Sequence, residues 1–159
     1  MSQTVELLAL SQAFHVCATH DDALRGALDD AEQLQLTPDA LDDLNKEERR
    51  ILDQFAYRYT RLQDDMGSRL IPAVLRALGE EIAALPMLDR LDRLEQLGWL
   101  ESAEEWAGLR RIRNEFTHEY PETPDKRLEK LELARSSAGR LSEIFGRFAE
   151  RIDRRWGEL

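Results

Sequence analysis

The stretch RNEFTHEYP, from Arg113 to Pro121, holds an arginine, an asparagine, a histidine and a tyrosine within nine residues. A histidine titrates near neutrality, so His118 can take the proton from a ribose 2′-hydroxyl or give one to a leaving 5′-oxygen. The planar fork of Arg113 can hold a phosphate and stabilise the extra charge of a five-coordinate transition state. Such a pair is a minimal kit for cleaving RNA without a metal ion. Because the 2′-hydroxyl is the internal nucleophile, the substrate would be RNA and not DNA. Arg110, one turn before Arg113, extends the positive surface and is a candidate phosphate contact, although a solvated helix face explains it equally well. The plain alternative for the whole stretch is the polar end of a packed helix, with His118 as a cap.

Helix geometry sharpens the choice. At 100° per residue, Trp106, Leu109, Ile112, Phe116 and Tyr120 fall in one apolar sector, with Arg110, Arg113 and Thr117 along its border. Asn114 and His118 are helical neighbours, but Arg113 and His118 stand about 140° apart on an ideal helix. Two routes can bring them to one phosphate. Either the helix unwinds before His118, with Pro121 discouraging its continuation past Tyr120, or two chains meet across a symmetric interface.

Other polar clusters carry less chemistry. Tyr57, Arg58, Arg61, Asp64 and Asp65 lie on one long helical pattern. Arg61 with Asp65, or Arg58 with another carboxylate, reads as a structural ion pair, while Asp64 or Asp65 can steady the arginine at 113. His15, Cys17 and His20 suggest a metal only superficially, because Cys17 points away from His15 and His20 is five residues further on. No glycine-rich phosphate loop, serine nucleophile or paired zinc motif occurs, so no cofactor and no metal are expected.

The elements that must position these residues are helices. The chain of 159 residues suits one domain with a real core, and 42% apolar with 34% charged residues favours a helical globular protein. Val5–Val16 and Ala23–Leu34 carry the spacing of one or two amphipathic helices, with THDD between them as a cap or kink. Asn45 and Glu48 form a capping pattern that opens a long helix through Ile51, Phe55, Tyr59, Leu62, Met66 and Leu70, which Pro72 should kink or divide. Pro86 suits a first helical turn and Gly98 a left-handed close, around a short leucine-rich helix. Ser102 with Glu105 is a second capping box, starting the helix that ends in RNEFTHEYP, and Thr123-Pro124 caps a last helix towards Trp156. An all-α up-and-down bundle of five or six helices buries these stripes.

Composition narrows the partners. A net charge of −10 lacks the cationic excess of a protein that coats nucleic acid, so any RNA-directed activity would need a local basic patch. No uncharged run is long enough to span a bilayer, the start MSQTVELL lacks a basic signal region, and Cys17 has no disulfide partner. A cytoplasmic location without membrane attachment is the default expectation.

Arg113-Asn114-x-x-x-His118-x-Tyr120 resembles the Arg-x4-His-x-Tyr signature of the HEPN superfamily. The segment LDRLDRLEQLGWLESAEEWAGLRRIRNEFTHEYP is similar to that family's short helix, Gly-hydrophobic turn and Trp-containing helix, and FAYRYTRLQDDMG resembles its preceding long helix. The likeness covers about Gln54 to Pro121, within a single HEPN-like domain spanning residues 1–159. It implies a small all-helical protein akin to HepT-type ribonuclease toxins and the helical partners of minimal nucleotidyltransferases. By that resemblance Arg113 and His118 form the catalytic pair, and Asn114 orients the phosphate or His118. Tyr120 would be the acceptor for nucleotide modification by a nucleotidyltransferase antitoxin, placing negative charge and bulk beside the cleft. The implied activity is a metal-independent endoribonuclease, the toxin of a bacterial toxin–antitoxin pair, acting as a homodimer. The alternative within the family is a non-catalytic subunit that binds a nucleotidyltransferase and presents substrate or nucleotide to it.

Overall fold

The computed structural model describes residues 2–118 and 122–159, and among these the regular structure is helical throughout. In chain order the α-helices are α1 (Ser2–Glu32), α2 (Lys46–Asp65), α3 (Ile71–Ala77), α4 (Met87–Gln96), α5 (Ala103–Thr117) and α6 (Pro124–Trp156). A 3-10 turn at Ala40–Asp42 lies between α1 and α2, and a π-turn at Met66–Leu70 joins α2 to α3. The all-α bundle expected from the stripes is the observed architecture.

The first helix is continuous. THDD neither caps nor kinks it, because His20 and Asp21 turn inward to polar partners on other helices instead of competing for their own backbone. Leu10, Ala13, Cys17, Leu24, Ala27 and Ala31 form its buried stripe, recurring at steps that keep one face inward.

Asn45 opens α2 with a reciprocal box: its side chain accepts from Glu48 N at 2.8 Å, and Glu48 accepts from Asn45 N at 3.0 Å. Phe55, Tyr59, Leu62 and Met66 then run through the core. Just before Pro72 the ladder widens, with the Ile71 N–H donating to Met66 O, five residues back. Proline has no N–H to give and its ring crowds the carbonyl four residues earlier. The expected division is present, and it takes the form of a π-turn between α2 and α3 that keeps the chain helical from Lys46 to Ala77.

Pro86 stands as the residue before α4 and not inside its first turn. Gly98, at φ +80°, closes that helix in the left-handed region, with Trp99 N donating to Leu94 O at 2.9 Å. Ser102 accepts from Glu105 N at 3.0 Å to start α5, half of the expected box, while the Glu105 carboxylate accepts from Arg140; Thr123 accepts from Lys126 N at 3.3 Å to start α6. Arg140 of α6 clamps the start of α5 by binding Glu101 and Glu105, both at 2.9 Å.

One continuous apolar cluster takes residues from every α-helix, including Leu10, Phe55, Val74, Leu91, Trp106 and Phe148. Its aromatic end under α5 stacks Phe55 on Tyr59, with Phe116 tilted against Tyr59 at 5.7 Å between ring centroids. With Trp106 and Leu109 buried on the same side, α5 turns this face to the core.

Candidate functional site

The helix carrying RNEFTHEYP stops earlier than its pattern suggested. It ends at Thr117, and His118 has extended backbone, φ −76° and ψ 124°. Its last turn is tied by Thr117, whose hydroxyl donates to Asn114 O at 3.0 Å. The unwinding that would release His118 from its helical position is thus present in the chain itself. Glu119, Tyr120 and Pro121 lie outside the described residues, and the expectation for Tyr120 lies there with them.

Arg113 faces α2. Its Nη2 donates to Asp64 Oδ2 at 2.6 Å and its Nη1 to Thr117 Oγ1 at 3.1 Å. The guanidinium is mostly covered, its side chain 20% exposed, and its Nε is buried without an acceptor. Two of its five N–H groups are therefore occupied and the fork is held in one orientation. Of the two carboxylates that could steady Arg113, Asp64 does so, while Asp65 turns inward.

Asp65 belongs to a separate network. Arg58 Nη1, which can only donate, lies 3.0 Å from His20 Nδ1, so that nitrogen is the acceptor and Nε2 carries the proton. Nε2 then faces Asp65 Oδ2 at 3.2 Å, with Arg61 at 3.6 Å and Arg69 at 3.9 Å from the same carboxylate. Burial pushes the His20 pKa below its ordinary value, an effect Asp65 opposes and Arg58 and Arg61 reinforce. The expected Arg61–Asp65 ion pair is present; the partner of Arg58 is a histidine where a carboxylate was expected. Cys17 lies buried beside this network, its thiol pushed up to about 12 by burial and then by Asp65. His15 is turned elsewhere, its Nε2 3.0 Å from Leu159 O.

His118 looks towards α6. It lines a cavity of about 530 Å3 with Glu115, Glu122, Lys126, Glu129, Lys130 and Leu133. Lys130 donates to the His118 carbonyl at 3.0 Å and to Glu122 at 3.3 Å, which pins the backbone just past the end of α5. Asn114 is exposed on the outer side of α5. Arg110 is exposed too, and it lines a smaller cavity of about 210 Å3 with Gln63, Asp64, Gly67, Ser68, Met87 and Trp106. Asp64 thus joins that cavity to Arg113.

The wall of α2 beneath Arg113 is unusual in its polar groups. Tyr59 Oη and both amide atoms of Gln63 are buried without a hydrogen-bond partner, as is Arg113 Nε opposite them. Burial pushes the Tyr59 phenol up to about 12, with Arg113 acting in the other direction. Unpartnered buried polar atoms are few in native proteins and each costs free energy; Arg58 Nε and Asp65 Oδ2 are two more, so such atoms extend along α2 into the network around Asp65.

Lys130 and Gln63 escaped notice in the sequence. Gln63 left a faint signal: it follows core Tyr59 by one helical turn, so an uncharged amide falls on an apolar stripe. Lys130 left none, since its role depends on where α6 passes the end of α5.

No family model, curated protein or solved structure matches this chain. Among the described residues, no group of histidine, cysteine and carboxylate side chains has a metal-binding arrangement, and no helix is long and apolar enough to cross a membrane.

Proposed function

We propose that the chain is a metal-independent endoribonuclease of HEPN type, the toxin of a bacterial toxin–antitoxin pair. The observation that carries this reading is the joint geometry at the end of α5: Arg113 held by Asp64, and the backbone leaving the helix at His118. Arg113 retains one further N–H on each Nη for a phosphate oxygen. His118 stands beyond the last helical turn, on backbone fixed by Lys130.

In the cleavage step the ribose 2′-oxygen attacks phosphorus as its proton passes to a neutral imidazole. The bond from phosphorus to the 5′-oxygen breaks, and that oxygen takes a proton from an imidazolium, leaving a 2′,3′-cyclic phosphate and a 5′-hydroxyl. Arg113 stabilises the charge that builds on the phosphoryl oxygens between the two proton transfers. One imidazole cannot be base and acid at once. A homodimer that presents two Arg113/His118 sets to one cleft supplies both protonation states. The cognate antitoxin is a minimal nucleotidyltransferase, and Tyr120 is the residue it modifies.

Incubating the purified chain with RNA in chelator tests this reading. Cleavage with cyclic-phosphate ends, lost in Arg113→Ala and His118→Ala at unchanged helicity, is the expected result. An intact, unmodified, partner-free chain that cleaves no RNA overturns the toxin reading and leaves the non-catalytic partner subunit in its place. Mass spectrometry of Tyr120 after incubation with the cognate nucleotidyltransferase and ATP tests the modification separately.

A further inference from the structure

The small cavity between α2 and α5 combines a buried amide with an apolar wall and a charged rim. Gln63 lines it and is 3% exposed, yet neither its amide oxygen nor its amide nitrogen has a hydrogen-bond partner. Such an amide offers one acceptor and two donors in a plane, and burying them unused is costly. Because it holds no hydrogen bond, turning it towards the cavity breaks none. Trp106 forms an apolar wall beside it, and Gly67 leaves the neighbouring space open: a Cβ there would stand 3.8 Å from Trp106 Cζ2. Met87 of α4 completes the apolar lining.

The polar rim is equally specific. Asp64 is fixed by Arg113, and Ser68 donates to Asp64 O at 2.8 Å within the π-turn, which holds the backbone of this wall. Arg110 forms no ion pair among the described residues, so its guanidinium is available to an anion at the rim. At about 210 Å3 the cavity is smaller than the roughly 300–1,000 Å3 common for larger ligands, and suits a single ring system.

We infer that this cavity is a base subsite that takes adenine, with Gln63 as the residue that reads it. The amide of glutamine matches the N6 donor and N7 acceptor of adenine in a two-bond pairing. Trp106 and Met87 cover the ring, and Arg110 contacts the attached phosphate. Asp64, shared between this cavity and Arg113, sets the base next to the phosphate that Arg113 holds. The inference rests on the ribonuclease reading for its place in catalysis, but the pocket itself can be tested without cleavage.

The test uses the full chain, its Gln63→Leu variant and a second variant, Met87→Trp, which fills the cavity from α4 and leaves the amide in place. Binding of the four nucleoside 5′-monophosphates is measured by calorimetry, and cleavage positions are mapped by sequencing the 5′-hydroxyl ends of a random-sequence RNA. Expected is a preference for adenosine monophosphate over uridine monophosphate of about tenfold or more, set by the two-bond pairing. Cleavage should fall beside adenosine in the same proportion.

Gln63→Leu should keep or raise the melting temperature, since it removes an unpartnered amide, and reduce the preference to less than about threefold. Met87→Trp should lose monophosphate binding altogether. Equal binding of all four nucleotides by the wild type, or a preference that survives Gln63→Leu, overturns the subsite. If neither variant folds, the wild-type preference decides alone. Selective binding without any cleavage would retain the pocket and sink the ribonuclease reading; cleavage without base preference would do the reverse.

Discussion

Asp64 and Asp65 are consecutive, yet they serve different regions of the molecule. About 100° of helical rotation separates them, enough to place one at the rim of α5 and the other inside the joint between α1 and α2. Asp65, with its side chain 6% exposed, meets His20, Arg61 and Arg69. Asp64, with its side chain 49% exposed, meets Arg113. Around Asp65 the histidine has a partner on each ring nitrogen. Around Asp64 the neighbouring groups, Gln63, Tyr59 and Arg113 Nε, are buried with hydrogen bonds unmade. Arg58 Nε and Asp65 Oδ2 are without a hydrogen bond as well, so the two regions differ in exposure and in how many charged partners gather, with the larger group around Asp65.

The contrast breaks most visibly at Asp65. Asp65→Ala leaves the His20 N–H without its acceptor and the flanking guanidiniums without their carboxylate. It should lower unfolding free energy by about 1–3 kcal/mol, read from urea midpoints at constant slope. A loss below about 1 kcal/mol would mean the network contributes little to the joint between α1 and α2.

Arg113→Ala should have the opposite profile. Under the ribonuclease reading, cleavage falls on the order of a hundredfold, as removal of a single transition-state donor does elsewhere, while the urea midpoint hardly moves. Asp64→Ala is the milder version. Stability should fall by less than about 1 kcal/mol, because the pair is half in solvent. Cleavage should fall on the order of tenfold as the guanidinium loses its fixed orientation. Wild-type rates in Asp64→Ala would deny it any positioning role.

His20 makes the joint sensitive to acid. Its folded pKa lies below the ordinary 6.5, so in mildly acidic solution the unfolded chain binds the proton first. Its contribution is therefore fully present above about pH 6.5 and is lost as pH falls towards the depressed folded value. His20→Gln can still accept from Arg58 and donate to Asp65 without titrating, so its melting temperature should fall less between pH 7 and pH 5. A steeper fall in the variant would rule out His20 as the source. The smallest effect is expected of Arg61→Gln: its side chain is 46% exposed and its guanidinium 3.6 Å from Asp65, and its loss should cost less than about 1 kcal/mol.

Much of the fold was legible because it depends on neighbours in the chain. The capping residues Asn45, Ser102 and Thr123 act on backbone three positions away, and Gly98 closes its helix through its own φ. The failures have a common cause. THDD resembled a break because its side chains are polar, but His20 and Asp21 find partners on α2 and α6. The division expected at Pro72 is present, but its form, a π-turn ahead of the proline, is not specified by an α-helical pattern. Ile112 and Phe116 fell on the apolar sector as expected, yet they are only half-buried where α5 runs out towards its end.

The sequence by itself determined the helical class, the ends of most helices and the gathering of Arg113, Asn114 and His118 on one short stretch. Those properties follow from spacing and capping within single elements, where interacting groups are three or four residues apart. Only the tertiary structure decided that Asp64 and not Asp65 takes Arg113, that Arg58 pairs with a histidine, and that Gln63 lies unpartnered beside Trp106. A change of one position turns a side chain through about 100°, so its partner depends on how two helices cross, which no local pattern specifies.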